Sequence, residues 1–491
     1  MTFDPHTIAR RPQFVAKASV IAIAVVLAAL PSIGRADAGA PLPRCSVGSL
    51  SFYQARYLKS GTDNSSTPPT IALDQVTLPA AAGDAAAITN IWTGQGAPTP
   101  INAGSATSVN AGATVAMGMH PQNGYIYAIR ATQGDTDFSQ ATSRDYTGHI
   151  QVLKYGTTGV DNLGVIQGMP ANRWFQWGPN VNAAAFNPAN NELIIGNLRG
   201  GPVNELIRIS VANDVPTYVG TITLSQAITA QSGDFAIDAT GTYAYGIATA
   251  ARGSSNTSYQ VDLATGTVTL LQTGVGETFF GSWAPYGGAA RLQNGQMAFV
   301  GGFSTATPGV RLMSIPAGTV SDEYTQTQTA QSTDAAECLP KLTATLQCTP
   351  TDLVDAAGNV STCTVTLDGP APAGGLPVDL TLPTTNPRYS TTCASPITIA
   401  AGATEAQCTI TATPNTVPGD GNVAATIALA TPPATADYEL GTPTEATVTV
   451  KDDDNTGPGP IAPIPATGIW SLLAMGLGLT GLAWRRQRRQ G

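Results

Sequence analysis

The sequence has little charge, few aromatic residues and almost no histidine. Of 491 residues, 11% are charged, 6% are aromatic and three are histidines. Long amphipathic helical patterns are absent between the termini, which excludes a helix bundle. The chain also lacks a GxSxG nucleophile motif, a CxxC pair and a Cys/His cluster, so no motif indicates a hydrolase of that type or a zinc site. We therefore expect no catalytic residue, metal or cofactor on the strength of motifs.

The chain instead repeats one strand–turn–strand stretch four times. The copies are Ala116–Arg130, Ala183–Asn197, Phe235–Ala248 and Ala289–Gly302. Each has two short apolar strands around a polar turn pair that tolerates positive φ, as tight hairpins require. These pairs are Asn123-Gly124, Asn190-Asn191, Thr240-Gly241 and Asn294-Gly295. The turns recur every 50 to 67 residues, which is typical of the blades of a β-propeller.

A second hairpin follows each copy. These hairpins are His149–Ile166, Glu205–Leu224, Ser258–Leu271 and Val310–Val320. Two hairpins make the four strands of one blade, and blades must stack around an axis because one blade cannot bury both of its faces. Three strand-like runs within residues 39–112 predict one more blade. We expect an all-β chain with a propeller at residues 39–338, of five blades or alternatively six; a sandwich is the competing interpretation. The polar stretch Ser321–Glu337 is predicted to be a linker.

Residues 339–455 predict a second β domain. Alternating apolar and polar residues and frequent turn residues indicate a β-sandwich of about seven strands. The strand candidates are Leu342–Cys348, Cys363–Leu367, Val378–Leu382, Ile397–Ala400, Ala406–Thr413, Ala424–Ala430 and Ala446–Val450.

The later part of this domain, from Ile397–Cys408 to the closing Ala446–Asp454, resembles the second half of a Calx-beta domain. The resemblance implies an immunoglobulin-like sandwich, and some members bind calcium through clustered carboxylates. Here the turn Asn415–Asn422 has Asp420 as its only carboxylate, whereas calcium needs six to eight oxygen ligands. We therefore expect no metal site in this domain, and we interpret Asp452–Asp454 as the solvated start of a linker.

The N-terminus has the pattern of a secretory signal peptide at residues 1–38. Arg10, Arg11 and Lys17 are followed by the apolar run Val20–Leu30. Small residues then predict cleavage by signal peptidase after Ala38. The run is too short to span a membrane well.

The C-terminus predicts a sorting signal in three parts. A Pro-rich linker at residues 456–468 contains Ile464, Pro465, Ala466, Thr467 and Gly468; an apolar run at 469–484 is predicted to be a transmembrane helix, and 485–491 is a basic cytoplasmic tail. The order resembles the IPTL-CTERM class of bacterial sorting signals, and the same five residues also fit an LPxTG-type motif with Ile for Leu. A plain tail anchor is the third interpretation. The protein is thus expected at the bacterial cell surface or envelope, anchored or released by a sorting protease, with membrane contact through this helix before processing.

Six cysteines in an exported chain predict disulfides. Cys45 and Cys338 flank the predicted propeller, so their pairing would lock the ring. In the sandwich, the spacing favours Cys348–Cys363 and Cys393–Cys408 around two turns. The alternative joins Cys348 to Cys408 and Cys363 to Cys393.

A cluster of large side chains gives the one candidate for ligand binding. Arg173, Trp174, Trp177 and Trp283 could line the propeller mouth and stack on sugar rings, although such residues also form blade cores.

Two other sets of polar residues are assigned no chemistry. His120 and His149 are interpreted as turn or strand residues, and Asp135 and Asp137 as solvated acids of a loop.

Two functions remain open. The first is a non-enzymatic, surface-anchored protein that presents a propeller for binding or adhesion to an extracellular glycan or protein, with the sandwich as spacer. The alternative is a secreted propeller hydrolase or lyase, which would need at least two His, Asp or Glu side chains on the central channel. The formal net charge of −9 makes nucleic acid an unsuitable partner, because an acidic surface repels phosphates.

Overall fold

The structure is a computed structural model that describes most of the chain between residues 38 and 454. The described residues are 38–58, 70–81, 83–95, 116–131, 150–170, 183–196, 203–228, 231–249, 256–275, 286–301, 309–328, 332–372 and 374–454. The predicted hydrophobic core of the signal peptide, the sorting motif and the predicted transmembrane helix lie outside them. Within these ranges, no helix has both the length and the apolar character needed to span a bilayer.

Five four-stranded antiparallel sheets form the blades of a propeller. Blade 1 contains β1 (Ser51–Leu58), β2 (Thr70–Thr77), β3 (Ala87–Gln95) and β20 (Ser332–Glu337); blade 2 contains β4 (Ala116–Met119), β5 (Ile126–Ala131), β6 (Ile150–Tyr155) and β7 (Val160–Val165); blade 3 contains β8 (Ala183–Asn187), β9 (Glu192–Gly196), β10 (Val203–Ser210) and β11 (Thr217–Ile228), with a 3₁₀ turn at Ala212–Asp214; blade 4 contains β12 (Gln231–Ile237), β13 (Tyr243–Thr249), β14 (Thr257–Asp262) and β15 (Val268–Thr273); blade 5 contains β16 (Gly288–Arg291), β17 (Met297–Gly301), β18 (Gly309–Ser314) and β19 (Thr319–Thr325). The all-β class and the propeller are thus confirmed, and the described residues form five blades.

The four repeated turns have the backbone that their sequences predict. The second residue of each pair has positive φ, at Gly124, Asn191, Gly241 and Gly295. Large apolar side chains of the paired strands are then buried between neighbouring blades. Tyr127 of blade 2 meets Phe186 of blade 3 edge to face, with ring centroids 5.6 Å apart. Full burial of one such side chain is worth about 2 kcal/mol, so the interblade contacts hold the ring together.

The ring is closed by the last strand of the propeller. Strand β20 pairs with β1 in antiparallel register, from Phe52 opposite Glu337 to Tyr57 opposite Ser332. Its other neighbours are the inner strands β4 and β16. The prediction of a linker at Ser321–Glu337 is therefore wrong. Strand β20 has few large apolar residues, because the inner strands lie close together around the axis and only small side chains fit between them.

The second domain is the predicted β-sandwich. Its strands are β21 (Leu342–Thr349), β22 (Asp352–Val354), β23 (Val360–Leu367), β24 (Leu376–Val378), β25 (Leu380–Thr381), β26 (Tyr389–Thr391), β27 (Ile397–Ile399), β28 (Glu405–Ala412), β29 (Val423–Leu429), β30 (Tyr438–Leu440) and β31 (Glu445–Lys451). They form a sheet in the order β26-β28-β23-β21-β30, a sheet in the order β22-β31-β29-β25 and the pair β24-β27. All seven strand candidates contain strand residues, and the candidate Val378–Leu382 is divided between β24 and β25, which belong to different sheets. The unpredicted strands β22, β26 and β30 have three residues each, which is too short for an alternating pattern.

The structure contains the three disulfides favoured by the spacing, Cys45–Cys338, Cys348–Cys363 and Cys393–Cys408. Cys363 lies opposite Cys348 on one side and opposite Cys408 on the other. Cys348 and Cys408 are thus two strand spacings apart, about 9–10 Å, which exceeds the reach of a disulfide. The alternative pairing is excluded by this register.

Candidate functional site

A narrow channel runs along the propeller axis between the five inner strands. Each inner strand supplies glycine or alanine to its lining, and the cavity between the strands has a volume of about 20 Å³, room for about one water molecule. The small residues are required by the close approach of the strands. A Cβ atom on Gly118 of β4 would lie 2.9 Å from the backbone nitrogen of Phe186 on β8. The repeated Ala/Gly pattern of the sequence is therefore the lining of the channel.

The carboxylate of Asp234 joins three blades at this axis. Its Oδ1 accepts the backbone N–H groups of Ala184, at 3.1 Å, and Phe235, at 2.8 Å. Its Oδ2 accepts the N–H of Ala289, at 2.7 Å. These donors belong to β8, β12 and β16, so one buried side chain satisfies N–H groups of blades 3, 4 and 5.

A second buried acid, Asp334 on β20, lies beside Asp234. Both residues are 1% exposed. Burial raises the pKa of each well above its ordinary value. The three N–H donors oppose this rise at Asp234, whereas the negative charge of Asp234 adds to it at Asp334. The N–H donors therefore favour the ionised form at Asp234, and the charge of Asp234 favours the protonated form at Asp334.

The opposite end of the channel holds an ion pair between Arg291 of β16 and Glu337 of β20. Burial raises the pKa of Glu337, and the Arg291 guanidinium partly offsets this rise. Acids therefore occur at both ends of the channel, and Glu337 has a basic partner in Arg291.

Residues 38–50, which we call the strap, cross the face on which the inner strands end. The Leu42 N–H donates to the Gly124 carbonyl at 2.9 Å, and the Gly48 N–H donates to Gln293 Oε1 at 2.7 Å. The side chain of Leu42 packs in one cluster with Met117 and Met119, which line the channel. The strap therefore packs against this end of the channel. Ala38, the last residue of the predicted signal peptide, is buried in the strap, where its carbonyl accepts the Thr158 N–H at 3.1 Å.

His120 holds a turn, as interpreted from the sequence. Its Nδ1 accepts the N–H groups of Gln122 and Asn123 at 3.2 and 3.3 Å. Asn187 and Asp238 occupy the corresponding positions of blades 3 and 4, and their side-chain oxygens accept turn N–H groups likewise. Burial lowers the pKa of His120 to about 4. The imidazole is thus a neutral structural acceptor.

We expect His120→Asn to reduce the acid sensitivity of folding. Because the folded-state pKa lies below the unfolded value of about 6.5, the contribution of His120 to stability is fully present above pH 6.5 and is lost as the pH falls toward 4. Between pH 7.5 and 4.5 the wild type should lose about 2–3 kcal/mol more than the variant, which keeps the acceptor found at Asn187. Denaturant unfolding at both values measures this difference, and equal losses in the two proteins would contradict it.

The structure brings together buried acids that the sequence interpretation missed. Asp234 immediately precedes the repeat that begins at Phe235, and Asp334 falls in the stretch predicted to be a linker. Each is followed within two residues by an alanine of an inner strand, Ala236 after Asp234 and Ala335 after Asp334, and this shared position is the signal that could have identified them. The predicted ligand-binding residues Arg173, Trp174, Trp177 and Trp283 lie outside the described residues, as do His149, Asp135 and Asp137.

A second polar cluster lies at one end of the sandwich. Carboxylate oxygens of Asp355, Asp420 and Asp452 are all within 4.8 Å of one another. The Asp453 N–H donates to Asp355 Oδ1 at 3.4 Å, and a hydrogen bond between the two carboxyl groups raises the pKa of Asp453 and lowers that of Asp355. Asp420 is the only carboxylate of its own turn, as predicted, and acids distant in sequence join it at this end of the domain.

The same contacts correct the interpretation of Asp452–Asp454 as a solvated linker. Asp452 Oδ2 accepts the N–H of Gly421 at 3.4 Å, and the Asp452 N–H donates to Asn422 Oδ1 at 3.1 Å. These residues are thus part of the folded sandwich.

The donor set is only partly suited to calcium. Carboxylate oxygens are the ligands that calcium prefers. However, the guanidinium of Arg388 pairs with both Asp355 and Asp420. Two of the three clustered carboxylates therefore already have a cationic partner, so the residues do not fit a preformed calcium site.

The closed ring and its axial channel define the class of the protein, a five-bladed β-propeller followed by a β-sandwich. Residues 79–339 match the family DUF6923, described as a repeat of unknown function. Because this match covers more than half of the chain, the protein belongs to that family. No curated protein matches the chain.

Three of the solved structures that are similar to this chain are described by their identity, TM-score and coverage of each chain. A putative 6-phosphogluconolactonase from Bacteroides fragilis is 10% identical with a TM-score of 0.30, over 58% of this chain and 97% of the other. The Dos1 propeller is 10% identical with a TM-score of 0.28, over 67% and 72%. Hydrazine synthase of Kuenenia stuttgartiensis is 10% identical with a TM-score of 0.28, over 55% of this chain; this chain thus spans only 60% of that one. Similarity this low carries no argument about function.

Proposed function

We propose that this protein is exported to the bacterial cell surface, where its propeller binds an extracellular glycan or protein and its sandwich is a Calx-beta-like spacer. The observation that carries the proposal is the pairing of all six cysteines in three disulfides. Such pairing is typical of proteins that fold in an oxidising compartment. The signal-peptide pattern and the sorting-signal pattern of the two termini agree with this location.

The junction between the two domains suits a spacer. The Cys45 N–H donates to the Leu339 carbonyl, and the Lys341 N–H donates to the Cys45 carbonyl, both at 2.8 Å. The Arg44 N–H donates to Asp437 Oδ1 of the sandwich at 3.1 Å. The strap therefore bonds both domains beside the Cys45–Cys338 disulfide. A junction held at several points would keep the propeller at a fixed orientation to its anchor.

The face opposite the strap is the proposed binding face. The strap and the sandwich junction occupy the other face, and the described channel, with a volume of about 20 Å³, is too small for a glycan. We assign ligand contact to Trp174 and Trp177, because aromatic rings stack on sugars.

A test compares the ectodomain, residues 39–454, with its Trp174→Ala/Trp177→Ala variant on a glycan array and on host surface extracts. We expect binding to fall at least about tenfold, as for removal of an aromatic anchor, with the thermal midpoint unchanged. The control is Trp92→Phe, which removes one hydrogen bond, from Nε1 to the Gly156 carbonyl at 3.0 Å, and should leave binding unaltered. Equal binding by the double variant would contradict the assignment.

Protein from the native host should begin near Gly39, and an intact mass that includes the signal peptide would contradict export.

The second candidate is a propeller hydrolase or lyase, and the Asp234–Asp334 pair favours it. Two neighbouring carboxyl groups, one in surroundings that favour the ionised form and the other in surroundings that favour the protonated form, are suited to acid–base chemistry. The same array experiment separates the two functions. Cleavage of a bound glycan that is abolished by Asp334→Asn would establish the enzyme, whereas retention of intact glycan supports binding alone.

A further inference from the structure

The acidic end of the sandwich contains a buried guanidinium. Arg388 precedes β26 and is 8% exposed. Its Nη2 donates to Asp355 Oδ2 at 2.5 Å, and its Nη1 donates to Asp420 and, at 3.1 Å, to the carbonyl of Gly421. One side chain thus contacts two carboxylates that come from different loops.

The position of these carboxylates explains what the guanidinium does. Asp355 follows β22, Asp420 lies between β28 and β29, and Asp452 follows β31. Their oxygens converge within 4.8 Å. Like charges at this separation repel one another, so a cation that offsets the repulsion favours the meeting of the three segments.

We propose that Arg388 is a built-in cation that takes the place of a divalent metal ion in this cluster. The planar guanidinium can bond two carboxylates at once, which a hydrated ammonium does less well. With Asp355 and Asp420 engaged by Arg388, an incoming ion retains only Asp452–Asp454 as carboxylate ligands. The wild-type domain is therefore ordered without calcium, and Arg388 is the residue that excludes calcium from this position.

The test is calcium binding by Arg388→Gln in residues 39–454. Glutamine keeps hydrogen-bonding groups but removes the charge. With calcium chloride as the probe, the thermal midpoint of the variant should be lower than that of the wild type without calcium and should rise by several degrees in 1 mM calcium, about 100 times a dissociation constant of 10 µM. The wild-type midpoint should not change, and calorimetry should show at least about tenfold tighter binding by the variant.

A matched control is Arg208→Gln. Arg208 pairs with Glu192 on the propeller through two hydrogen bonds, at 2.7 and 2.8 Å, and the described residues form no cluster of three acids around it. Its loss should create no response to calcium. Wild-type protein that gains several degrees in calcium, or folded Arg388→Gln protein that does not respond, would overturn the proposal.

A second variant keeps the proposal testable if Arg388→Gln does not fold. Adding Asp420→Asn removes one of the negative charges that Arg388 offsets. The double variant should fold without calcium and should bind calcium more weakly than the single variant, because a carboxylate ligand has been lost. A double variant that also fails to fold would show that Arg388 acts through packing instead of charge, and would contradict the proposal.

Discussion

Asp234→Asn should lower the free energy of unfolding by more than about 3 kcal/mol. The wild-type carboxylate accepts three backbone N–H groups on β8, β12 and β16. An asparagine offers one oxygen, so its amide nitrogen would face a backbone N–H as donor against donor. Each buried donor left unpaired costs about 1–3 kcal/mol. Urea unfolding of residues 39–454 at pH 7 measures the difference.

The matched control is Asp334→Asn, an equally small change in the neighbouring acid. If Asp334 holds the proton of the pair, an asparagine amide can donate in its place, and we expect a loss below about 1 kcal/mol at pH 7. The pH dependence should differ as well. Burial raises the pKa of Asp334 in the folded state. The contribution of Asp334 to the free energy of unfolding is therefore fully present below its pKa in the unfolded chain and is lost as the pH rises through its pKa in the folded state. The variant should therefore keep its stability at alkaline pH better than the wild type. Equal losses for both substitutions would contradict this assignment of the proton.

Removal of the Cys45–Cys338 disulfide is the other change expected to have a large effect. This bond closes a loop with a sequence separation of 293. In the chain-entropy model such a loop contributes about 6 kcal/mol, because the unfolded chain is strongly constrained. The double variant Cys45→Ser/Cys338→Ser also frees the strap from the end of β20. We expect a large decrease in the unfolding midpoint, measured by thermal denaturation under non-reducing conditions.

The control removes a short-range disulfide in the same way. Cys348→Ser/Cys363→Ser opens a loop with a separation of only 15, for which the model gives about 3 kcal/mol. The propeller transition should then be retained, since this bond lies within the sandwich. A propeller that unfolds at an unchanged midpoint without Cys45–Cys338 would show that pairing of β20 with β1 closes the ring unaided.

The sandwich cluster shows why site prediction from sequence was incomplete. Counting acids in one turn identified Asp420 and missed Asp355, because the two residues meet only when β22 and the β28–β29 connection reach the same end of the domain. Arg388 carried no signal at all, since an isolated arginine before a short strand is ordinary. A buried ion pair is a property of the assembled loops.

The sequence by itself determined the repeat, its turns and the disulfide partners favoured by spacing. These features are local or depend on order along the chain: turn pairs such as Asn123-Gly124 and Asn190-Asn191 specify positive φ, and alternation marks each strand. Only the tertiary structure decided that β20 completes blade 1, that Asp234 bonds residues 50 and 55 positions away, and that Arg388 meets Asp355 and Asp420 across 33 and 32 residues. The physical reason is that closing the ring and folding the sandwich bring these groups into contact. The residues next to each group in the sequence do not indicate which distant residue it will contact.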